Sequence, residues 1–180
     1  MKRLIVVLAV VAGLILSSTA ALARAPSGAV FTTLDDGTRV NANIFEDESE
    51  VYLDGGPGPN APADAAGLPE GDYVFQVTDP SGKILLSWDE PKCRVFHVDE
   101  SGLITGVVPA GGCEHYTGYD VGHDAATVQL WPFDPTPNAG GVYKVWVTPW
   151  EQFDHHGFTS SASKTDAFKV VYLEGPPDED

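Results

Sequence analysis

Basic residues are scarce in this chain: ten Lys and Arg stand against 26 Asp and Glu, for a formal net charge of −16. A polyphosphate partner requires a basic footprint, so nucleic acid is excluded as a ligand. Cysteine is scarcer still, with only Cys93 and Cys113, and their spacing offers neither a CxxC redox pair nor a structural zinc site. No stretch of useful length repeats apolar residues at helical spacing, which argues against a helical architecture. Also missing are a G-x-S-x-G elbow, a glycine-rich phosphate loop before a helix, and any nucleophile beside a defined base. Carboxylates are abundant, but in so acidic a chain their number singles out no acid/base pair. The sequence therefore reads as a non-catalytic protein whose acidic surface serves solubility.

Long apolar runs are limited to one, at residues 4–16, behind Lys2 and Arg3 and ahead of Ala21-Leu22-Ala23. A basic n-region, a short h-region and an A-x-A site together describe a secretory signal peptide over residues 1–23, cleaved before Arg24, with Ala25 as the neighbouring option. The run is shorter than the ~20 residues that cross a bilayer core, and no Cys follows it to carry a lipid. The expected product is secreted, periplasmic or held at the cell surface, with no stable membrane anchor after cleavage. In such a compartment Cys93 and Cys113 are expected to form a disulfide, closing a loop of about twenty residues at a gain of roughly 3 kcal/mol. Free thiols or a metal pair are the alternatives.

What the chain does have is alternation. In residues 72–78, Tyr73, Phe75 and Val77 share one face and Val74, Gln76 and Thr78 the other, the period of a half-buried strand. Asp79-Pro80-Ser81-Gly82 supplies a turn, because Asp accepts backbone hydrogen bonds, Pro presets φ and Gly tolerates φ > 0. Residues 83–87 return as a second strand. The design repeats: a strand over 93–99, the turn Asp99-Glu100-Ser101-Gly102, then a strand over 103–108. Further strands are expected at 30–33, 39–45 (after a D-G turn), 51–53, 127–133, 142–150 and 167–173. In 142–150, Tyr143, Val145 and Val147 oppose Val142, Lys144, Trp146 and Thr148. Residues 54–67 and 109–126 read as Gly- and Pro-rich loops, and 151–165 as irregular. Many short strands between turn signals predict an all-β, antiparallel β-sandwich of immunoglobulin-like or prealbumin-like kind with long loops. It occupies residues 24–175, either as one unit or as two sub-units of about 30–108 and 127–173 joined by a disulfide-pinned loop. Residues 176–180 form an acidic, frayed tail.

Two motifs add a family. LPEGDYVFQVTDPSG at 68–82, followed by FHVDESGLIT at 96–105, resembles the Cna-B-type (prealbumin-like, transthyretin-like) modules of bacterial secreted and surface proteins. The resemblance implies a β-sandwich used as a stalk, spacer or adhesive module. Members of that family link a first-strand Lys to a last-strand Asn; here Asn43 stands early and Lys169 late, so such a bond would run in reverse, with Glu46 as its acid. No C-terminal sorting motif follows, which implies a free relative rather than a wall-linked stalk.

Candidate sites are weighed on residue type. Glu46, Asp47 and Glu48 with Asp54 are the weak candidates for Ca²⁺, the one cofactor the sequence offers, although no EF-hand pattern is present. The histidines His97, His115, His123, His155 and His156 lack the spacing of a metal site and read as surface groups in polar loops. Trp131, Trp150, Tyr116 and Tyr119 are the ligand-binding candidates, because an exposed flat ring can stack on a sugar; Trp131 and Trp150 are expected to be the most exposed. The reading is a secreted structural or adhesive protein whose partner is a protein or polysaccharide at the cell exterior, with a carbohydrate-binding module as the alternative. Any site is placed in loops 46–67, 109–126 and 151–165.

Overall fold

Strand β4 (Gly71–Thr78) forms where the alternation is strictest, and it lies near the middle of a six-stranded sheet. The computed structural model describes residues 24–56, 65, 67–109, 113 and 115–171. The expected leader (1–23), the tail (176–180) and much of the 54–67 loop lie outside the described residues. In chain order the other strands are β1 (Val30–Thr33), β2 (Ile44–Phe45), β3 (Tyr52–Gly55), β5 (Val95–Val98), β6 (Ile104–Val107), β7 (Thr117–Asp120), β8 (Ala125–Gln129), β9 (Val142–Pro149) and β10 (Lys164–Val170). One sheet has the order β1-β3-β8-β7 and the other β2-β10-β9-β4-β5-β6. All pairings are antiparallel except β2 with β10. The fold is all-β, as the turn spacing predicts.

One hydrophobic core serves both sheets. Tyr73, Phe75 and Val77 of β4 and Tyr143, Val145 and Val147 of β9 point into it, as their alternation requires, and meet Leu53, Val128 and Leu130 from the four-stranded sheet. Tyr143 and Phe168 stack there with their rings 5.1 Å apart, and Phe133 meets both edge-on. Residues 30–108 and 127–173 do not each own a sheet: both sheets draw strands from both segments.

The turns are built as the sequence implies. Asp79 Oδ1 accepts from the Lys83 and Ile84 amides, each at 2.8 Å, and its Oδ2 from Ser81. Those donors, the Ser81 hydroxyl first, hold its carboxyl down at about 2. Asp99 repeats the arrangement with Ser101 and Leu103. The disulfide joins Cys93 to Cys113.

Four expectations are corrected. Residues 83–87 do return along the end of β4, with the Asp79 amide donating to the Ile84 carbonyl at 3.0 Å and the Leu86 amide to the Val77 carbonyl at 2.9 Å, but they form isolated bridges, Thr78 to Leu85 and Ser87 to Phe133, rather than a continuous strand, and Ile84 and Leu85 are exposed. The strand expected over 39–45 is only Ile44–Phe45, since Asn41 takes φ 51° and breaks the extended run. The 109–126 loop contains β7, which the polar, glycine-bearing TGYD concealed. Finally, Trp150–His156 is a helix, α1, whose Trp150 and Phe153 rings lie 5.6 Å apart beside β4. The fully buried Val74 lies on the face of β4 turned away from the shared core.

Candidate functional site

Sheet pairing brings together residues far apart in sequence, and it does so most tightly around Asp54. This residue of β3 faces away from the shared core, is 2 % exposed, and accepts from the Gly55 amide at 2.7 Å. Asp120, at the end of β7, lies close enough for its charge to act on the Asp54 carboxyl. Asp120 also accepts from the Gly122 amide at 2.7 Å and meets His123 Nδ1 at 2.6 Å. Burial, reinforced by the Asp120 charge, pushes the Asp54 carboxyl up to about 7. The result is a buried carboxyl, Asp54, that keeps its proton toward neutral pH, with Asp120 and His123 beside one another at 2.6 Å.

A turn lies across this cluster. Asp35 O accepts from the Tyr119 amide at 2.9 Å and from the Thr127 hydroxyl at 2.8 Å, so the residues after β1 lie on the outer side of the four-stranded sheet. Gly37 sits there at φ 68°, and a Cβ on it would fall 2.4 Å from Asp120 Cβ. Only a glycine permits so close an approach in that conformation. Asp54 and Asp120 are thus enclosed, away from any substrate, with His123 at the cluster's partly exposed edge.

A second buried group lies by the disulfide. Arg94 and His115 each have side chains 1 % exposed, and both converge on Asp89, with Arg94 Nε 3.3 Å from Oδ1 and His115 Nε2 2.8 Å from Oδ2. The other imidazole nitrogen of His115 is 2.9 Å from the Gln129 carbonyl, and its ring packs edge-on to Phe75 at 5.1 Å. Cys93 and Cys113 flank Arg94 and His115 in sequence, so the disulfide ties together the two segments that deliver them. Burial lowers the Arg94 guanidinium, and the Asp89 charge opposes that shift.

The sequence candidates fare unequally. Tyr116 is 60 % and Trp131 39 % exposed, and Tyr119 is exposed at the β7 edge, its hydroxyl donating to Asp124. Trp150, expected to be exposed, is half-buried on α1 because it packs on Phe153; it lines a shallow cleft of about 330 Å³ with Asp72 and Tyr73. The most exposed tryptophan is instead Trp88, at 64 %, whose amide bonds the Pro132 carbonyl. No sequence signal distinguished it, because it ends a segment that looks like a strand. Of the Ca²⁺ candidates, Asp47 caps the Glu48–Glu50 turn through Ser49, Glu48 accepts from the Tyr143 hydroxyl, Glu46 is exposed, and Asp54 belongs to the buried pair. Among the described residues no group of three or more His, Cys, Asp or Glu could hold a metal ion. His115 and His123 are internally bonded rather than free in loops, and His97 in β5 pairs with Asp72 at 2.8 Å. Asn43 and Lys169 are neighbours through the backbone, the Lys169 amide donating to the Asn43 carbonyl at 2.9 Å.

No helix among the described residues is long and apolar enough to cross a membrane. In comparisons with known proteins, no family model, no curated relative and no solved structure matches the chain.

Proposed function

We propose that this chain is an exported, non-catalytic β-sandwich protein, immunoglobulin-like or prealbumin-like, that acts by binding at the cell exterior in a structural or adhesive role. The observation that carries this reading is how the side-chain chemistry is distributed. The buried Asp54 and the His115 side chain are held within the fold, Asp54 by the Gly55 amide and His115 by Asp89, and His97 with Asp72 is a simple exposed imidazole–carboxylate pair, whereas the large exposed side chains include the rings Trp88, Tyr116 and Trp131. Rigid exposed rings contact a partner at little entropic cost, and exposed apolar surface marks interaction sites. The disulfide supports an oxidising compartment, in line with the leader read at 1–23. The Cna-B-like assignment draws support from the adjacency of its two motifs, since β4 pairs with β5 and β5 with β6.

The test is fractionation together with retention. The native chain should be recovered outside the cytoplasm with residues 1–23 removed, and the purified protein should be retained on immobilised cell-envelope material. Recovery in the cytoplasm, or passage through the column unretarded, would refute the proposal.

A further inference from the structure

The outer face of the four-stranded sheet, covered at Asp120 and Thr127 by the turn after β1, carries exposed rings at Tyr116 and Trp131. Tyr52 of β3 is in register with Gln129 of β8, and the Gln129 amide bonds the carbonyl of Tyr116, just ahead of β7, at 2.9 Å. Leu53, Val128 and Leu130 point into the core, so Tyr52, Gln129 and Trp131 take the opposite side. Tyr116 and Trp131 then lie diagonally across adjacent strands, a separation of roughly 7–8 Å. Among the described residues, neither ring stacks on another. Their flat faces are available.

The polar group in this row of side chains is buried. Gln129 is only 5 % exposed; its Nε2 donates to the Ser49 carbonyl at 2.7 Å, which fixes the amide, yet its Oε1 has no hydrogen-bond partner. Thr33, in register with Tyr52 on β1, is likewise buried with an unpartnered hydroxyl. Resting on the binding reading above, we infer that this face is a glycan-binding platform for neutral polysaccharides: Tyr116 and Trp131 stack on sugar faces and Tyr52 extends the row, with the buried Gln129 amide, held by the Ser49 carbonyl, fixing the strands beneath them.

Charge and composition narrow the occupant. Asp35 lies close enough to Tyr52 for its charge, after burial, to help raise the phenol's pKa, and the chain as a whole carries −16. Sulfated or uronate glycans are repelled by such a field. The exposed aliphatic residues Ile44, Ile84, Leu85 and Val121 lie in other segments, so the row lacks the mixed apolar core of a protein interface. Hydroxyl-rich neutral sugar is the ligand that exposed flat rings in an acidic field suit.

The experiment is affinity electrophoresis of the purified disulfide-bonded protein against a soluble β-glucan, chitin oligosaccharides and heparin. Retardation by at least one neutral probe is expected, weakened about tenfold by Tyr116→Ala or Trp131→Ala. Ile84→Ser, at an exposed residue of another segment, should leave it unchanged, and Trp131→Phe, which keeps a ring, should retain most of it, separating loss of stacking from loss of fold. No retardation by either neutral probe, equal binding by both alanine variants, or preference for heparin overturns the inference. Retention on envelope protein without glycan binding would overturn it while leaving the adhesive reading standing; failure of both would remove both.

Discussion

Asp54 holds a proton that the unfolded chain would release, and the direction of its effect on stability follows from that. Its folded-state pKa, about 7, exceeds the ordinary carboxylate value, so the native state binds more protons across the interval between them. Stability from this group is fully present below about pH 4 and is lost as pH rises toward 7, by up to roughly 4 kcal/mol in all. Urea unfolding from pH 4.5 to 8 should show that decline in the wild type and its absence in Asp54→Asn, which keeps the shape without the charge. The neighbouring Gly37→Ala should cost about 2 kcal/mol or more, from the left-handed backbone and the contact with Asp120; chemical denaturation at pH 5 measures it. Neither role was legible in the sequence, because Asp54 and Asp120 meet only through the pairing of β3, β8 and β7. Read along the chain, Asp54 looks like one more residue of an acidic stretch.

Elements were legible where a strand alternates and has one wet face. β4 and β9 do, and their core faces are those the pattern names. Residues 83–87 are as apolar as a strand and do return along β4, but only through isolated bridges that leave Ile84 and Leu85 in solvent. β7 has a Gly and an Asp in four residues and is held by pairing with β8 rather than by propensity. α1 is one helical turn pair, too short for a periodic signal, and it is what turns Trp150 from an exposed ring into a packed one. The disulfide was legible from two cysteines and an export signal, but its task was not: it joins the segments carrying Arg94 and His115. Reducing it should lower stability by roughly 3 kcal/mol. Asp89→Ala should cost about 3 kcal/mol as well, because it leaves the buried Arg94 charge unpaired. Thermal unfolding with and without reductant, and of the variant, checks both.

At the scale of the molecule, two sheets close over one aromatic core and leave an acidic surface with a few exposed rings. The residues proposed to bind come partly from a loop, as the sequence suggested for Tyr116, partly from the end of the expected strand 127–133, where Trp131 stands, and partly from a sheet face that only strand order defines, as with Tyr52. That division explains why the sequence located some candidates but could not assemble them. Binding through this face is the central claim, and the most direct measurement compares the wild type with a Tyr116→Ala/Trp131→Ala double variant for co-sedimentation with cell-envelope material. The account predicts that the wild type sediments with the envelope and that the double variant, folded and oxidised, stays in the supernatant. Equal sedimentation of the two, or none by either, would contradict it.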